Sequence, residues 1–190
     1  MKRSNIFTLV GNLLLAQILM IIISVLFMES FPALLESDGG RKLYSTVTGA
    51  MFFCTYYSKA WKAGKKDFKS AKIYNNHHDD KIRINYFKGV TAGIIAHLPC
   101  LILISLHAVK LSKGYISSGY NLAYRILNSH FIGWLGNDNL TYIPNCLILT
   151  AATIILGGVA YFAGTKEFSV TERYLPMLVY KNGGKENKNK

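Results

Sequence analysis

The chain has 190 residues, enough for one domain, and is 51% hydrophobic with a mean hydropathy of +0.21 while still 17% charged. That combination excludes a uniformly polar chain, because the apolar residues and the charges lie in separate stretches. The formal net charge of +12 follows the gaps between apolar runs and is read as a topology signal, so no nucleic-acid partner is expected.

Ile6–Met28 holds 23 residues without a charge. A hydrocarbon layer of about 30 Å needs about 20 apolar residues at 1.5 Å each, so this run can cross it. Lys2 and Arg3 ahead of it resemble a signal peptide. The run exceeds the usual signal core of about 7–15 residues and no A-x-A follows, so an uncleaved first span is expected. After a short loop containing Pro32 and Gly39-Gly40, a second span is placed at about 43–63. Ser45, Thr46, Thr48, Thr55 and Ser58 dilute it, which a membrane helix tolerates when each hydroxyl finds a partner.

The helical pattern continues past that span through Trp61, Gly64, Phe68 and Ala71. Lys59, Lys62, Lys66 and Lys69 follow at spacings of 3, 4 and 3, which gathers them on one face. The next stretch, "NNHHDD", sets His77, His78, Asp79 and Asp80 side by side. Adjacent histidines point in different directions, and zinc wants four ligands converging within about 2.0–2.3 Å. The tetrad is therefore a metal candidate set aside in favour of a hairpin tip, and no cofactor is expected. Asn75-Asn76 suit a helix stop, and Asp80 suits the N-cap of a helix that begins at Lys81.

A third span is placed at 87–109. Gly89, Gly93, His97, Cys100, Ile104 and His107 fall within an arc of about 80° on it. Pro99 removes an amide donor and crowds the carbonyl of Ile95, so a kink beside His97 is expected. The stripe is either a path for a proton, metal or substrate, or a packing seam in which each imidazole bonds to a neighbouring helix. Tyr120, Tyr124, Leu127, Phe131 and Trp134 then recur at spacings of 4, 3, 4 and 3. They predict an outer amphipathic helix lying on the surface or capping the bundle. The fourth span, 143–163, carries a stripe of small residues at Thr150, Thr153, Gly157, Ala160 and Gly164. Spans three and four are expected to pack through these two stripes. Residues 1–181 form the membrane domain, and 182–190 read as a disordered polar tail.

The three cysteines, Cys54, Cys100 and Cys146, lack C-x-x-C spacing and read as small buried apolar residues. Seventeen of the 22 Lys and Arg fall before span one, between spans two and three, or after span four. By the positive-inside bias this is an all-α bundle of four transmembrane helices with both termini cytoplasmic and a cytoplasmic helical hairpin extension.

No P-loop, nucleophile elbow, H-E-x-x-H or dinucleotide fingerprint occurs, so no enzyme is expected and no catalytic residue is assigned. Two functions fit. One is an accessory or scaffolding subunit whose basic hairpin meets anionic lipid, a membrane-protein partner or a second copy of itself. The other is a small transporter component with His97, Pro99, Cys100 and His107 beside a path. An intramembrane enzyme ranks third.

The stretches "WKAGKKDF" (61–68), "KGVTAGIIAHLP" (88–99) and "YFAGTKEFSVTERYLPMLVYK" (161–181) resemble a family of small multi-pass membrane proteins of low-GC Gram-positive bacteria. The resemblance implies a bacterial plasma-membrane protein. It supplies no catalytic or binding residues.

Overall fold

In the computed structural model, which describes residues 5–78, 81–114, 119–136 and 139–168, every regular element is helical. The helices are α1 (Ile6–Ser30), α2 (Pro32–Glu36), α3 (Asp38–His77), α4 (Lys88–Ser112), α5 (Gly119–Leu127), α6 (Ile132–Leu135) and α7 (Asn139–Thr165). A 3-10 turn, Ser129–Phe131, joins α5 to α6. Three segments are long and apolar enough to cross a membrane: Ile6–Ser30, Lys88–Ser112 and Tyr142–Thr165. The chain is thus an all-α protein with three candidate spans.

Local chemistry sets the helix starts. Asn5 accepts from the Phe7 amide at 3.4 Å ahead of α1, and Ser37 accepts from the Gly40 amide at 3.0 Å ahead of α3. Pro32 opens α2, where its missing amide costs nothing.

α3 is the axis of the assembly. It has 40 residues, about 60 Å at 1.5 Å per residue. Its Tyr44 hydroxyl donates to the Ser24 carbonyl of α1 at 2.8 Å. Along α7 it runs parallel, with Tyr56 beside Gly157 and Trp61 beside Gly164. α4 runs the other way against α7, with Gly89 beside Gly157 and Tyr161 at one end and the His107 ring 5.5 Å from Tyr142 at the other.

The closest approaches need glycine. A Cβ on Gly64 would stand 2.1 Å from the Tyr161 carbonyl oxygen, and one on Gly164 would stand 2.2 Å from that of Trp61. Backbone cannot yield as a side chain can, so α3 and α7 meet only because neither residue has a side chain. Gly93 of α4 lies against Ile154, and Thr153 and Ala160 of α7 are buried. The small-residue stripe of α7 therefore serves two neighbours, with Gly157 between Tyr56 of α3 and Gly89 of α4, and Gly164 against α3.

Two expectations are corrected. Segment 119–136, expected as one amphipathic helix on the outer surface or capping the bundle, is not one helix. It breaks at Asn128, and the stretch Asn128–Phe131 is buried inside the bundle together with Tyr124 and Leu135. The Asn128 amide group lies 3.5 Å from the Cys100 sulfur, near the middle of α4. The regular spacing of large apolar and aromatic residues hides this break, because Asn128 falls between Leu127 and Phe131. The second correction concerns the hairpin. α3 continues through Asn75 and Asn76 to His77, and residues 81–85 carry no regular element before a turn at Tyr86-Phe87 leads into α4 at Lys88. Asn75 explains both facts: its side-chain oxygen accepts from the Ile82 amide at 2.7 Å, and its side-chain nitrogen donates to the Ile82 carbonyl at 3.2 Å. These bonds satisfy a backbone that a helix would otherwise have paired with itself. Asn85 then accepts from the Phe87 amide at 3.0 Å just before α4.

Candidate functional site

The lysine face is built on the second half of α3. Lys62, Lys66 and Lys69 are exposed and Lys59 is half-buried, while Ala60, Ala63, Gly64, Asp67 and Ala71 on the opposite side are buried. Nearer its N-terminus the exposed stripe of the same helix is apolar, with Leu43 58%, Val47 47% and Met51 40% exposed, and Cys54 is exposed as well. Cys54 therefore departs from the expectation of a buried cysteine. The outward character of α3 changes from apolar to basic over about three turns, from Met51 to Lys62.

One carboxylate is central here and was not singled out from the sequence. Asp67 is 4% exposed. Its Oδ2 accepts from Lys88 Nζ of α4 at 2.5 Å and from the Tyr161 hydroxyl of α7 at 2.7 Å. Three helices are pinned at one oxygen. A signal existed in the spacing, since Asp67 continues the line of small residues Ala60, Ala63 and Gly64 while facing away from Lys62 and Lys66.

Beyond Asp67 the end of α3 and the returning chain enclose a groove of about 510 Å³, lined among others by Phe68, Lys72, Asn75, Arg83, Ile84 and Tyr86. His77 and His78 at the tip are exposed, and the His78 ring stacks on Tyr74 at 4.2 Å. Asp79 and Asp80 lie outside the described residues. Among the described residues, no group of three or more His, Cys, Asp or Glu is placed to hold a metal ion.

A second cluster lies in the bundle core. His97 and Cys100 of α4 are buried, with His97 Nδ1 3.0 Å from the Gly93 carbonyl. Gln17 of α1 and Asn128 each place a side-chain nitrogen 3.5 Å from the Cys100 sulfur. The Tyr56 ring stands edge-on to His97 at 5.7 Å. The His130 ring lies tilted by 35° against Phe52 with centroids 4.2 Å apart, and is fully buried. Neither ring nitrogen of His130 nor the Tyr56 hydroxyl has a hydrogen-bond partner among the described residues.

Buried imidazole and phenol groups without partners are costly, so this cluster stands apart from ordinary core. His107 lies farther along α4, beside Tyr142. Pro99 sits within α4, which remains a single helix across it. His130 is the member that sequence reasoning missed. It lies in a segment expected at the surface.

The hydroxyls of α3 receive this inserted segment. The Thr48 hydroxyl lies 2.8 Å from both the His130 carbonyl and the Tyr44 carbonyl of its own helix, which share its one hydrogen, and Ser45 Oγ accepts from the Gly133 amide at 2.7 Å. Asn145 of α7 donates to the Trp134 carbonyl at 3.1 Å. α5 also exposes apolar side chains, with Leu122 at 62% and Ile126 at 52%.

No known protein family, curated protein or solved structure matches the chain.

Proposed function

We propose that this is a non-catalytic, four-span accessory protein of a bacterial plasma membrane, whose basic α3 extension holds anionic lipid head groups at the cytoplasmic surface. The observation that carries this reading is the change along the outer face of α3, from Leu43, Val47 and Met51 to Lys62, Lys66 and Lys69. An apolar outer stripe suits lipid tails, and lysines about three turns farther on suit phosphates. Each surface lysine near an anionic leaflet is worth about 1 kcal/mol. The direction of α3 supports the fourth span. It runs parallel to α7 and opposite to α4, so a bilayer crossed by α4 and α7 is crossed by α3 as well. Positive-inside counting then places both termini in the cytoplasm, and the resemblance to small multi-pass proteins of low-GC Gram-positive bacteria supplies the membrane.

The test is reconstitution of the full chain into nanodiscs of mixed phosphatidylglycerol and phosphatidylcholine. Wild type is expected to enrich phosphatidylglycerol in its discs, less so at high salt. The variant Lys62→Gln/Lys66→Gln/Lys69→Gln is expected to lose that enrichment. Equal lipid composition around both proteins rejects the reading.

The unpartnered polar atoms of Tyr56 and His130 beside His97 favour a second reading, a small transporter with His97, Cys100 and His107 along its path. Uptake that changes with His97→Ala at constant protein level supports it, and unchanged uptake of every solute tried counts against it.

A further inference from the structure

We infer that the groove between the end of α3 and the returning chain is a discrete site for one anionic phospholipid, holding its phosphate between Lys72 and Arg83 and its glycerol backbone against Phe68, Ile84 and Tyr86. This rests on the reading that the basic end of α3 lies at the head-group layer, and it adds a shaped site to a charged face.

The groove holds about 510 Å³, within the range of about 300–1,000 Å³ usual for small-molecule sites. Its walls combine two cationic side chains with aromatic and aliphatic ones, and Asn75 is fixed by its two bonds to Ile82. A mixed lining of this kind suits an amphiphile with a negative head better than it suits a free inorganic anion or an apolar helix. At 100° per residue, Lys72 and Phe68 stand about 80° and 120° round α3 from Lys62, so the groove adjoins the lysine face without being part of it.

Tyr86 links the groove to the bilayer. Its ring packs edge-on against Phe162 at 5.6 Å, and Lys166 Nζ lies 5.6 Å from its centre. Phe162 is 46% and Phe87 77% exposed at the adjacent ends of α7 and α4. Exposed aromatic rings mixed with lysines at the ends of apolar helices mark the membrane interface. A molecule whose acyl chains stay in the bilayer has its phosphate at that same level, and this favours a lipid over a soluble phosphate ester.

The experiment uses the full chain extracted in mild detergent with phosphatidylglycerol present, and native mass spectrometry to count retained lipid. One phosphatidylglycerol per chain is expected on wild type and on the Lys62→Gln/Lys66→Gln/Lys69→Gln variant. Lys72→Gln/Arg83→Gln is expected to lose it by at least tenfold in occupancy ratio, and Lys72→Arg/Arg83→Lys to keep it. Circular dichroism checks that the variants remain helical. Retention unaffected by Lys72→Gln/Arg83→Gln overturns the inference, as does displacement of the lipid by glycerol phosphate at equal concentration. Retention lost on the lysine-face variant alone also overturns it, while leaving the head-group reading intact. Groove-dependent retention without nanodisc enrichment has the opposite meaning and removes only the broader reading.

Discussion

Asp67 and Lys88 form a buried ion pair, 2.5 Å apart, with side chains only 6% and 12% exposed. The pair joins the helix that carries the lysine face to the start of α4, and the Tyr161 hydroxyl completes it from α7. Removing one partner from a buried pair leaves the other charge without compensation, at a cost of about 3–5 kcal/mol. Asp67→Ala is therefore expected to lower the thermal midpoint of the purified protein sharply. Lys88→Met added to it is expected to recover part of the loss. A double variant less stable than Asp67→Ala contradicts this account.

The meeting of α3 and α7 at Gly64 makes a steric prediction. Gly64→Val places a side chain against the Tyr161 carbonyl, where even a Cβ stands at 2.1 Å. Overpacking of this kind costs about 1–3 kcal/mol. Gly11 has nothing within 4 Å of an added Cβ, so Gly11→Ala is expected to cost nothing measurable in the same melting assay.

Labelling tests the direction and depth of α3. In a cysteine-free background, Lys66→Cys is expected to react readily with a membrane-impermeant maleimide from the cytoplasmic side. Val47→Cys is expected to resist it from either side while the bilayer is intact. Both positions are exposed on the protein, so a difference between them reports lipid rather than protein burial.

Thr48 and His130 make opposite predictions. Thr48→Val deprives the buried His130 carbonyl of its side-chain donor, a loss of about 1–3 kcal/mol. Faster hydrogen exchange over 119–136 is the direct readout. His130→Phe removes two ring nitrogens that have no partner among the described residues and keeps a ring against Phe52. That replacement is expected to leave stability unchanged or to raise it. A large loss shows instead that the imidazole is bonded in the folded protein.

The three candidate spans were readable because a long uncharged run has few other uses. α3 was harder, and its polarity has a local cause. Ser45 and Thr48 face the backbone of the inserted segment, so two of the residues that weaken its hydropathy receive another part of the chain, while Thr46 and Thr55 donate to carbonyls of their own helix. Spacing alone could not show that Asn128 interrupts a helix, nor that His130 belongs with His97. The tip was misjudged for a similar reason. Asn75 was read as a helix stop, yet its side chain works across the hairpin while its backbone stays helical.

The inserted segment also fixes an order of events. Lipid offers no donor to the His130 carbonyl and no acceptor to the Gly133 amide. Those partners belong to α3, made earlier, while Tyr124 reaches the Cys146 carbonyl and the Thr150 hydroxyl of α7, made later. In the four-span reading proposed above, residues 119–136 complete these hydrogen bonds only once α7 has been made. A chain stopped before Thr150 would hold α1, α3 and α4 whole but would lack most of α7 and the Thr150 hydroxyl that meets Tyr124.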